Sequence, residues 1–375
     1  SRECDLSKRG CPLSRRSFIA GTITASGTFA SLSAVGASEE EGKIRQMGPA
    51  SKARARIEAT FVRRRGPYGM RWPGAVFDGK AAREKYTSQL LSSAQKLGIE
   101  VNVRPEPIYS KAEAASWVEK CKAKKPDALL VLLLDRQDHS WPTCHIAVGS
   151  GIPTIIHCPL GTAFTTNTAP FAKRPGCLVC ATDDFSEVAF ALKMIQAHLR
   201  VKKTRYVVLR GKRKFERKVP FFGTELRYLP ASEFLDLYRK TPVTEEIKQI
   251  SQDFVRRAKE LRGASVQDVL NGVKSFVVAR SFLQRESADA ITMDCLGALG
   301  RTKVSLPCIA WAFMLDSGIP AACEADINAA LTHALVLYLF DRPGFQQDPV
   351  PDTSHGTLIG AHCTCATRLR GLDQE

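Results

Sequence analysis

Apolar and polar positions along the chain switch repeatedly between a strand-like and a helix-like period. "RIEATFVR", from Arg56, reads as a strand, and "AAREKYTSQLLSSAQKLG" carries apolar residues at helical spacing and stops at Gly98. "IEVNVRPEPIY" is extended, and "SKAEAASWVEKCKAKK" is a helix with Ser110 as its cap. "DALLVLLL" is the unbroken apolar run of a parallel strand buried on both faces, and "IPTIIHC" is another. This succession predicts βαβαβ units with right-handed crossovers, hence a parallel sheet.

The Gly/Thr/Pro-rich stretch "PLGTAFTTNTAPFAKRPG" then interrupts the pattern, and 161–176 is read as a linker. Beyond it the theme resumes with a strand "CLVCA", a helix capped by Asp183 or Asp184, a strand "RYVVLRG" and two long helices. A strand "ADAITMDC" and the apolar helix "CEADINAALTHALVLYLF" complete the unit. The predicted fold class is α/β with two Rossmann-like parallel-sheet domains, over 55–160 and 177–368, with a charged linker at 38–54 and a tail at 369–375.

The first 37 residues break this pattern. "LSRRSFIAGTITASGTFASLSAVGAS" pairs Arg15 and Arg16 with a weakly apolar run that ends in the small residues Val35-Gly36-Ala37. It resembles a twin-arginine export signal occupying 1–37, which implies a periplasmic or extracellular location. The run is too short and polar to span a bilayer, so no stable membrane insertion is expected after cleavage. The chain begins with Ser, and its true start is expected upstream.

Composition adds three constraints. With 375 residues and 44% hydrophobic content, the chain can bury the cores of two domains. The net charge of +16 owes much to "KKTRYVVLRGKRKFERK" at 202–218. No zinc-finger spacing, helix-turn-helix or RNA-binding signature accompanies that run, so it reads as a solvated face and no nucleic-acid partner is expected. Of the twelve cysteines, Cys177 and Cys180 form a single CxxC with no second pair, so most are read as buried free thiols. The chain also lacks a GxGxxG after its first strand, a P-loop and a GxSxG elbow. That removes the usual signals for dinucleotides, nucleoside triphosphates and serine hydrolysis.

Candidate chemistry gathers at the ends of apolar runs between 291 and 368: Asp294 after a strand, Glu324 and Asp326 before a helix, and His362 after "TLIGA". In α/β sheets such positions line the ligand crevice. Carboxylates with a neutral imidazole suit a divalent ion such as Mn²⁺. Each residue also has a plainer reading: helix capping for Glu324 and Asp326, a turn for Asp294, a loop histidine for His362. Asp348 and Asp352 read as structural residues of a Pro-rich turn, and His355 receives no role.

"GIPAACEADI", leading into an Ala/Leu-rich helix, and the later D-x(13)-HC resemble the L-fucose/L-arabinose isomerase-like family of aldose–ketose isomerases. The likeness is loose over most of the chain and closer over 291–368. It implies a sugar substrate, a Mn²⁺ or other divalent cofactor, and Glu324 as both metal ligand and base. His362 would be a second ligand, and Asp326 a further ligand or catalytic group. Moving a proton between C1 and C2 of a sugar needs a carboxylate beside the carbon and a cation near the oxygens where charge develops. Trp72, Arg136, His139 and Asp294 are the candidate substrate contacts. A homo-oligomer is expected. Family members continue into a C-terminal, largely β segment that supplies a further ligand, and this segment is expected to be missing here. If the protein turns over, it is an intramolecular oxidoreductase. The alternative is a non-catalytic exported carbohydrate-binding protein on the same scaffold.

Overall fold

In the computed structural model, residues 48–69, 76–136, 139–299 and 304–374 are described. Arg15, Arg16 and Trp72 lie outside the described residues. The first half runs β1 (Arg56–Val62), the short pair β2 (Tyr68–Gly69) and β3 (Val76–Phe77), α1 (Gly79–Leu97), β4 (Glu100–Val103), α2 (Lys111–Lys124), β5 (Ala128–Leu133), α3 (Ser140–Gly149), β6 (Thr154–His157), α4 (Thr165–Thr168), β7 (Cys177–Cys180) and α5 (Ser186–Lys203). Five strands form an all-parallel sheet in the order β4-β1-β5-β6-β7.

The centre of that sheet follows from the composition of β5, whose six residues are all buried. Successive strand side chains point to opposite faces. Leu130 and Leu132 meet Tyr86 and Leu90 of α1 and Val188 and Leu192 of α5. Leu129, Val131 and Leu133 meet Trp117 and Val118 of α2 and Trp141 of α3. With helices on both faces there is no wet side, hence no polar alternation. The helices start and stop where their residues dictate. Ser110 Oγ accepts from the backbone N–H of Glu113 at 3.2 Å, and Gly98 ends α1 at φ 63°.

The second half runs β8 (Arg205–Leu209), β9 (Phe215–Lys218), β10 (Glu225–Leu229), α6 (Ala231–Lys240), α7 (Glu245–Arg257), α8 (Val266–Arg285), β11 (Ala290–Met293), α9 (Cys295–Leu299), α10 (Cys308–Asp316), β12 (Ala321–Ala322) and α11 (Ile327–Phe340), then the hairpin β13 (Asp348–Asp352) and β14 (Thr357–Ala361). Its sheet has the order β12-β11-β8-β10-β9, parallel except for β9. The protein is therefore α/β with one parallel and one mostly parallel sheet.

Three boundaries differ from the sequence reading. Strand β7 pairs with β6 and closes the first sheet, so 161–176 is a loop within that half and not a break between domains. The join is α5: Val188, Ala191 and Leu192 pack into the first core, Ala197 and Val201 into the second. Gly/Pro content marked a loop, but only burial along α5 shows which sheet owns it. Residues 49–52 of the expected linker form a 3₁₀ turn clamped to the second sheet. Buried Asp289 accepts the N–H groups of Ala50 (3.1 Å), Ser51 (3.2 Å) and Arg205 (3.0 Å). The expected tail is packed as well, with the Leu372 N–H bonded to the Asp341 carbonyl at 3.0 Å. Finally, much of the basic run is the end of α5, β8 and the exposed edge strand β9. There Lys214 pairs with Glu233 (2.9 Å), and Phe215 stacks on Tyr228. A charged edge strand resists pairing with other chains.

Candidate metal centre

Strand order in the second sheet reverses between β8 and β11, so the C-terminal ends of these strands form its crevice. Asp294 leaves β11 there, with its N–H on the Leu209 carbonyl at 3.0 Å. Its carboxylate accepts from the Gly297 N–H (3.2 Å) at the start of α9, the turn role that residue type often plays.

Glu324 leaves β12 on the same side. It and Ala325 sit at φ 64° and 52°, two consecutive non-glycine residues in the left-handed region. Each costs about 1–2 kcal/mol, so the surroundings must impose the bend. They do: Ala325 N–H bonds the Met293 carbonyl (2.9 Å), Asp326 N–H the Cys323 carbonyl (3.1 Å), and Cys323 N–H the Gln346 side chain (3.0 Å). The bend leaves Glu324 exposed at the crevice edge.

The hairpin supplies the other half. Its register pairs Asp348 with Ala361, the first residue of one strand with the last of the other, and His362 follows directly. One ligand atom from each of Glu324, Asp348 and His362 lies within 4.8 Å of the others. His362 Nε2 is 3.8 Å from Asp348 Oδ2, and it is a buried polar atom with no hydrogen-bond partner. Such an atom normally has a partner, and two carboxylates beside it make a divalent cation a fitting one. His362 Nδ1 accepts the Thr364 N–H at 3.2 Å. In the neutral ring that bond places the proton on Nε2, so ligation through Nε2 requires the other tautomer.

Asp326 does not join this group. Its Oδ1 accepts the N–H groups of Asn328 (2.8 Å) and Ala329 (3.0 Å), which makes it the N-cap of α11. The turn that exposes Glu324 directs the next-but-one side chain back over the helix start. Asp326→Ala should lower stability by about 1 kcal/mol. Asp326→Asn, which still caps, should leave both stability and divalent-ion affinity unchanged, as read by urea denaturation and metal titration. A loss of ion affinity in the Asn variant would return Asp326 to the ligand set.

Arg136 and His139 lie past β5, near the switch point of the first sheet. Arg136 sits over the Phe164 ring at 4.2 Å, and His139 Nε2 meets the Arg63 carbonyl at 2.9 Å. Their contacts are to loop residues of the first half, and neither is in the Glu324 group. Asp348 heads the D-x(13)-HC motif, but sequence reasoning gave it a turn role and no ligand role. Pro349 and Pro351 disguise β13 as a turn. The available signal was Gly356, at φ 62° between two extended stretches. A cleft of about 570 Å³ exists elsewhere, lined by Glu58, Arg104, Glu113, Trp117 and Lys120, but it brings together no comparable ligand set. No protein-family model matches the chain, and no curated protein matches it at a significant level.

Proposed function

We propose that the chain is an exported, divalent-metal-dependent protein of the L-fucose/L-arabinose isomerase-like kind, acting on a sugar by aldose–ketose interconversion. The observation that supports it most is the convergence of Glu324, Asp348 and His362 from two separate loops onto one point. The bend at Glu324, strained and yet held by two backbone bonds and one from the Cys323 N–H to the Gln346 side chain, is the second support.

A bound divalent ion supplies electrostatic stabilisation to the C1 and C2 oxygens of the sugar as negative charge develops on them. Asp348 and His362 hold their side of the site from the hairpin mouth. The Glu324 carboxylate takes the proton from one sugar carbon and returns it to the neighbouring one. That transfer is internal to the substrate, so no nicotinamide is needed.

One observation favours a second reading. Glu324 and Asp348 are both exposed, whereas proton transfer at carbon gains from excluding water. A carbohydrate-binding protein that uses the ion only to hold sugar hydroxyls has no such requirement.

The deciding experiment is a Mn²⁺ titration of the full chain followed by aldose–ketose assays over a panel of pentoses and hexoses. The isomerase reading expects saturable Mn²⁺ binding, a raised melting temperature and interconversion of at least one sugar. Mn²⁺ and sugar binding without interconversion would support the second reading. Absence of Mn²⁺ binding would remove both.

A further inference from the structure

Behind the carboxylates lies a group of thiols that the proposed isomerase chemistry does not use. Cys295 starts α9, Cys308 starts α10, Cys323 follows β12 and Cys363 follows β14. The described cysteines are all free thiols. Cys308 Sγ and Cys363 Sγ are 3.5 Å apart, and Cys323 Sγ is 3.1 Å from Thr364 Oγ1. One ligand atom from each of Cys323, His362 and Cys363 lies within 4.8 Å of the others. Around a tetrahedral zinc with Zn–S near 2.3 Å, neighbouring sulfurs are ~3.8 Å apart. The Cys308–Cys363 separation is close to that.

His362 faces both groups. Nδ1 is 3.7 Å from Cys363 Sγ, while Nε2 looks toward Asp348. The Thr364 N–H bond marks Nδ1 as the nitrogen with the lone pair. The ring is therefore set in the tautomer that ligates on the thiol side.

We propose that Cys323, Cys363 and Nδ1 of His362 form a site for a thiophilic divalent cation of the zinc class. On binding, each ligating thiol releases its proton to solvent, and the ion takes the lone pair now shared with the Thr364 N–H. A neutral imidazole has one lone pair, so His362 serves one ion at a time. Zinc at the thiols thus withdraws His362 from Glu324 and Asp348, a consequence that rests on the reading of the carboxylate site given above. No CxxC spacing announces the thiol site, because its ligands come from two separate loops.

The test is a Co²⁺ titration of the reduced full chain, followed by Zn²⁺. The expected result is a thiolate-to-cobalt charge-transfer band that saturates at one equivalent and is bleached by Zn²⁺. Cys363→Ser and Cys323→Ser should each weaken Co²⁺ binding at least tenfold. Glu324→Gln and Cys365→Ser should leave the band unchanged. Absence of the band in the parent protein, its survival in Cys363→Ser, or its loss in Glu324→Gln would overturn the proposal. Cys363 is exposed, so its Ser variant keeps the test valid even if buried Cys323→Ser fails to fold. Mn²⁺ binding is read separately by water-proton relaxation. Its failure beside an intact cobalt band would sink the carboxylate reading alone.

Discussion

Glu324→Gln is expected to lower aldose–ketose interconversion at least about a thousandfold, because it removes a general base and a charged ligand in one step. Gln has the same length and can occupy the same bend, and Glu324 is exposed. The melting temperature without metal should therefore stay within about 2 °C of the parent's. Mn²⁺ affinity should fall at least tenfold. Asp348→Asn should weaken the ion similarly but spare more of the proton transfer, since Asp348 is assigned a holding role and Glu324 the moving one. Steady-state kinetics at saturating Mn²⁺ separates the two: restored turnover is expected for Asp348→Asn and not for Glu324→Gln. Full restoration in both variants would make Glu324 a ligand only.

The second large effect is acid instability from two buried histidines. His157 sits between Tyr86 and Phe185, with ring centroids at 4.8 Å and 5.5 Å, and its Nδ1 has no hydrogen-bond partner. His333 lies on the buried side of α11. Burial pulls both from the ordinary 6.5 to about 4, with Lys85 adding to the effect at His157 and His362 at His333. Asp183 and Asp326 respectively oppose it.

Because the folded values are depressed, the unfolded chain takes up protons first as the pH falls. The stability that the neutral rings confer is complete above about 6.5 and is lost down to about 4. Each ring should cost on the order of 2 kcal/mol between pH 7 and pH 5. His157→Phe, which keeps the aromatic packing, should reduce that pH-dependent loss by about the same amount while costing about 1 kcal/mol at pH 7 for the missing bond to the Thr182 carbonyl. Urea denaturation of both proteins at the two pH values checks it. Parallel profiles would place the acid-sensitive group elsewhere.

Local features of the fold were legible in the residues, and long-range ownership was not. The apolar run of β5 and the cap at Ser110 are dictated by neighbours a few positions away. Assigning β7 to the first sheet depends on a pairing with β6 across a loop, and nothing in "CLVCA" encodes which sheet it joins. The site divides the same way. Glu324 and His362 stood out as polar groups at the ends of apolar stretches. Asp348 stood out only as the head of the D-x(13)-HC motif, because its place beside His362 comes from its register opposite Ala361. Asp326 had two readings, a cap from its place before a helix and a ligand from the resemblance, and its bonds to the Asn328 and Ala329 N–H groups make it the cap.

That register also bears on how the chain can change over generations. Asp348 and His362 are neighbours because the hairpin's open end is pinned, not because of the number of residues between them. Both strands are largely exposed, and the far end closes through Gly356 without a core beneath it. Residues can be added or lost at that tip, up to the scale of a folded module, while the two ligands keep their separation. The linear interval between the aspartate and the histidine is thus a free variable under selection. Comparisons of distant sequences that require a fixed interval will fail to pair sites that superimpose in space.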